Sequence, residues 1–238
     1  MLSRLRRSSF AMFVATVAWT SSVQAAGTIR ITEVMSNALT LGGMDWWEIT
    51  NYGDTAVDLT GWKMDDNSYS LAAAVSLVPY ASVTTPAWSL INPGESVVFM
   101  ETAAPSTAVT NFQSFWNLGS GTGTIRNPKL GSYTGSGIGL SSAGDGVCLF
   151  DSTGAEVTRV AFGAATSGVS FFWSYDSAGV LGSAPAGSLS TTPLNNAYTV
   201  SPSGTSNTGS PGIAVTLAPV VSLYWTANGA GLGGSGTW

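Results

Sequence analysis

Two stretches of the chain, Arg30-Ile31-Thr32-Glu33-Val34-Met35 and, ten residues on, Asp45-Trp46-Trp47-Glu48-Ile49-Thr50-Asn51-Tyr52-Gly53, set its architecture. Both are short runs of β-branched and aromatic residues, and the second stops at Asn51-Tyr52-Gly53-Asp54, a turn-forming quartet. Working outward, β-favouring runs recur at 61–64, 96–101, 138–140, 146–150, 156–162 and 170–175. Turn chemistry separates them, as at Asn92-Pro93-Gly94 and Ala143-Gly144-Asp145-Gly146. Strong helix formers are scarce: the chain has two Lys, five Glu and two Gln, and no apolar period of 3.6 residues is evident. Short strands with frequent turns predict an all-β sandwich or barrel.

Composition narrows the chemistry. Of 238 residues, 33 are Ser, 27 Thr and 29 Gly, while only 9% are charged, against about 25% in an ordinary domain. The absence of histidine removes the Ser-His-Asp triad and every imidazole-dependent zinc site. The single cysteine, Cys148, can form no internal disulfide, and its apolar neighbours predict a small buried hydrophobe.

Residues 1–25 read as an export signal: Arg4, Arg6 and Arg7, a ten-residue apolar run from Phe10 to Trp19, then Val23 and Ala25 at a cleavage site. The run is too short to span a bilayer, which takes about twenty residues, so no transmembrane segment is expected. Without this segment five basic residues face 13 acidic ones, a net charge of −8. So few cations predict no affinity for nucleic acid.

Three further features carry a resemblance. The "EV" strand at Glu33-Val34 and the acidic strand ending at Asn51 are followed by Asp58-Leu59-Thr60-Gly61-Trp62. Downstream come Asn92-Pro93-Gly94 before an apolar strand, the runs at 138–140 and 144–154, and a closing Ser210-Pro211-Gly212. Over residues 28 to 213 this pattern resembles the lamin tail domain. The resemblance implies an immunoglobulin-like β-sandwich (lamin-tail type); the long loops at 66–92 and 102–135 depart from the family's compact form. It also implies an accessory module of exported bacterial proteins, sometimes joined to hydrolases, with no catalytic residues of its own. The sandwich is expected over 26–177 and a Ser/Gly/Pro-rich closing segment and linker over 178–213. Residues 214–238 are a Gly-rich C-terminal extension, whose Leu223-Tyr224-Trp225 and Gly231-Leu232-Gly233-Gly234 are similar to the start of an autotransporter-associated β-strand repeat.

Candidate chemistry is sparse. Glu33 and Glu48 could form the carboxylate pair of a glycosidase, or could hydrogen-bond backbone or pair with Arg30 or Lys63 at a sandwich edge; the second reading is preferred and no catalytic residue is assigned. Asp65-Asp66-Asn67 and Asp145 offer oxygens suited to calcium, yet turn chemistry explains them equally, so no cofactor is expected. Trp46 and Trp47 are adjacent on one strand and must point to opposite faces. One can fill the core; the other is covered by the 102–135 segment, by a partner, or by a ligand stacked on it. The sequence therefore predicts a non-catalytic exported module, structural, adhesive or protein-binding, engaging a protein or glycan at the cell surface. The alternatives are a carbohydrate-binding module using an exposed Trp and the accessory domain of a secreted hydrolase.

Overall fold

The computed structural model describes residues 28–39, 44–80, 88–118, 128–182, 187–202, 204–214 and 216–217. The segments expected as export signal (1–25) and, beyond 217, as a β-repeat lie outside the described residues. The first half of the chain contributes β1 (Ile29–Met35), β2 (Trp46–Asn51), β3 (Val57–Asp58), β4 (Lys63–Asp65), β5 (Val75–Ser76), β6 (Val78–Pro79), β7 (Leu90–Ile91) and β8 (Ser96–Glu101). A helix, α1 (Pro105–Phe115), follows, then β9 (Lys129–Tyr133), β10 (Asp145–Phe150), β11 (Glu156–Phe162), β12 (Phe171–Phe172) and β13 (Tyr175–Asp176). The chain continues through β14 (Ser188–Leu189), β15 (Tyr198–Val200), β16 (Asn207–Gly209) and β17 (Thr216–Leu217).

Two sheets face each other. One has seven strands in the order β14-β12-β1-β2-β8-β9-β6, the other four in the order β11-β10-β4-β5. Their inner faces supply one core: Ile29, Ile31, Val34, Trp47, Ile49, Val97 and Phe99 from the larger sheet meet Met64, Val147, Leu149, Val160 and Phe162 from the smaller. Trp62 joins the same core. Strand alternation then directs Met35, Trp46, Val98 and Met100 to the outer face of the larger sheet.

That outer face is apolar at one end and must be covered. Helix α1 covers it with Ala108, Val109, Phe112 and Phe115, placed at spacings of one, three and four along a single helical stripe. Pro105 opens the helix with its φ already set, and no charged residue supports either end. A short helix without such support is held by tertiary packing rather than propensity. The 102–135 segment, expected as a long loop, is thus a helix plus β9, which pairs parallel to β8. The 66–92 segment likewise holds β5, β6 and β7.

The expected linker is also corrected. Residues 188–189 extend the larger sheet, and Ser190, Asn195, Asn207 and Ser210 are buried. Ser210 donates its hydroxyl to Glu33 in β1 and Gly212 its backbone N–H to Glu48 in β2, so this composition serves packing instead of flexibility. The expected strand at 138–140 is reduced to one bridge, Gly135 to Ile138, although Ile138 and Leu140 still enter the core.

Candidate functional site

Trp46 and Trp47 point to opposite faces, and both are buried, at 1% and 0% exposure. Trp47 stacks on Phe99 with ring centroids 4.9 Å apart. Trp46 meets Phe112 and Trp116 edge-on, at 5.9 Å each. A ligand-stacking platform needs an open ring face, and neither Trp46 nor Trp47 has one. The indole that faces away from the core is covered by α1 and Trp116, within the 102–135 segment.

The two carboxylates of the opening strands come together. A bulge between Ile31 and Glu33 inserts Thr32 as an extra residue, so Glu33 stands opposite Glu48. Their side chains lie on the outer face, at 1% and 0% exposure. They accept hydrogen bonds from the closing segment. Ser210 donates its N–H (2.8 Å) and hydroxyl (2.6 Å) to Glu33, Ser170 donates its hydroxyl to Glu33, and Gly212 donates its N–H to Glu48. Buried carboxylates without such donors would cost several kcal/mol each, on the order of the penalty for burying an ion.

A hydroxyl ladder leads away from Glu48. Thr32 donates to Glu48 at 2.7 Å, Thr32 and Thr50 are 3.2 Å apart, and Thr50 and Ser96 are 2.7 Å apart. Its far end is the floor of a groove of about 440 Å³, bounded by the Asn51–Gly53 turn, Gly94, Ser177 and residues 212–214. The groove lies over the part of the outer face that α1 leaves uncovered. Sequence reasoning missed it because three of its walls are brought together from positions near 50, 95 and 212.

The acidic loop makes local hydrogen bonds. Asp65 accepts from the hydroxyl of Ser68 and the N–H of Ser70, both at 2.6 Å, and Asp66 accepts from the N–H of Ser68. Asp145 accepts from the N–H groups of Asn67 and Gly146. These are turn-forming roles. Among the described residues no three Asp, Glu or Cys side chains converge as a metal site requires. Cys148 is buried, and burial, reinforced by Glu156, pushes its thiol up to about 12. Such a thiol is a poor nucleophile at neutral pH.

Two facing sheets with a shared apolar core define an immunoglobulin-like β-sandwich. The lamin tail domain model matches residues 22–164, and the chain belongs to the lamin tail domain family. That family is a non-enzymatic immunoglobulin-like domain. No curated protein matches the chain. The folded unit continues past the matched region, since residues 188–212 complete the outer face of the larger sheet.

Proposed function

We propose that this protein is a non-catalytic lamin-tail module of an exported, cell-surface or secreted protein, acting as a structural, adhesive or protein-binding unit. One observation carries the reading. The carboxylate pair best placed for acid–base work is buried and spent on Ser170, Ser210 and Gly212, so it holds the fold together and faces no substrate space. Export rests on the basic and apolar pattern of residues 1–25. No helix among the described residues is long and apolar enough to cross a membrane.

The test is expression of the full chain from its own start, with mass spectrometry of the product outside the cell. A mature amino terminus at Ala26 supports export, and a product retained in the cytoplasm with Met1 intact rejects it. The same purified protein is assayed on polysaccharide and ester substrates. Turnover that disappears in Glu48→Gln would overturn the non-catalytic reading.

A further inference from the structure

The groove at the end of the hydroxyl ladder has most of the backbone N–H donors of its described lining already spent. The N–H groups of Asn51, Tyr52, Gly53, Gly94, Gly212 and Ile213 are already donated, to Glu95, Thr28, Asn51 Oδ1, Asn51, Glu48 and Ser210. The side-chain amide of Asn51 is donated as well, to the carbonyls of Thr55 and Ile91. The ladder has a direction. Thr32 has one proton and gives it to Glu48, so Thr50 donates to Thr32 and Ser96 donates to Thr50. Ser96 Oγ is left with lone pairs at the groove floor.

Among the described residues no charged side chain lines the groove, and a carboxylate stands behind its floor, three hydrogen bonds from Ser96. Hydrogen bonds in such a chain polarise one another, which strengthens the acceptor at its end. The chain as a whole is acidic, with a net charge of −5, and an acidic surface concentrates cations around it. A compact cation with several donors and no acceptor fits this set, and an ammonium group has that chemistry. An anion would meet acceptors and a negative field.

We infer that this groove binds a primary ammonium group, of the kind a lysine side chain of a partner protein presents. The inference rests on the partner-binding reading above and gives the partner's chemistry. Asn51 and Gly94 shape the walls, Thr50 and Ser96 form the floor, and Glu48 acts through the ladder without touching the ligand.

The test titrates Nα-acetyl-lysine N-methylamide into the isotope-labelled full chain and follows backbone amide resonances. Saturable shifts confined to the Asn51–Gly53 turn, Gly94, Ser96 and Gly212 are expected. The ε-acetylated form of the same probe, which lacks the ammonium, should bind about tenfold more weakly or not at all. Ser96→Ala should abolish the shifts while keeping the remaining spectrum native. The proposal fails if the amides do not move, if both probes bind equally, or if a folded Ser96→Ala binds as wild type. Should Ser96→Ala not fold, the two probes on the wild-type chain decide the matter. Export does not enter this measurement, so failure of the localisation test and failure of the groove are read separately.

Discussion

Gly209 sits where a β-carbon has no room. A Cβ there would lie 2.8 Å from Glu33 Oε1, 3.0 Å from Ser170 Oγ and 3.3 Å from the Trp116 ring. The carboxylate is fixed by its donors and cannot withdraw freely, so Gly209→Ala should destabilise by about 1–3 kcal/mol, as overpacking does. Denaturant unfolding measures this, and wild-type stability in the variant would contradict the tight packing. Asp45 makes a pH prediction. Burial, offset in part by the Ala38 N–H and reinforced by Glu101, raises its carboxyl from 3.8 to about 6. The unfolded chain then ionises first as pH rises, so the contribution of Asp45 is present in full below 3.8 and is lost as pH climbs toward 6. Asp45→Asn should therefore be more stable than wild type at neutral pH and lose that advantage in acid. Melting temperatures across this range provide the check, and parallel profiles would refute it.

The strands best legible in the sequence are those with β-branched or aromatic cores and hard turns at both ends. Ser96–Glu101 and Glu156–Phe162 stand at the boundaries that their residues predict, and the run at 30–35 is extended by Ile29 alone. Helix α1 was hidden for a physical reason. Its residues Thr107, Val109 and Thr110 favour strands, and its stability comes from contacts with β2, β8 and β9 that no local pattern displays. The spacing of Ala108, Val109, Phe112 and Phe115 was the available signal. The bulge at Thr32 was equally invisible, because it becomes apparent only against the register of β2. Phe112→Ala should cost about 3–5 kcal/mol, the usual range for deleting a buried aromatic. It should also shift Trp fluorescence to the red as water reaches Trp46. Fluorescence unchanged in a destabilised variant would show that α1 does not shield that indole.

At the scale of the molecule, the lamin-tail match ends at 164 while the sandwich is finished by residues 188–212. The strands of the first half were readable from their residue patterns and turns. The closing segment was not, because Ser, Thr, Gly and Asn describe a linker as well as a set of donors for buried carboxylates. A chain ending at residue 177 removes Ser210 and Gly212 from Glu33 and Glu48, and it should be unfolded or aggregated at temperatures where the full chain is native. Circular dichroism and light scattering would show it, and a cooperative melt of the shorter chain near the wild-type midpoint would refute it. The same contact bears on how the protein acquires its shape. Glu33 and Ser210 are 177 residues apart in sequence, so this closure forms a loop of nearly the entire folded chain, the slowest kind of contact to find. During synthesis, Glu33 in the first strand waits for Ser210. Until the closing segment emerges, the outer face of the larger sheet lacks its final fastener.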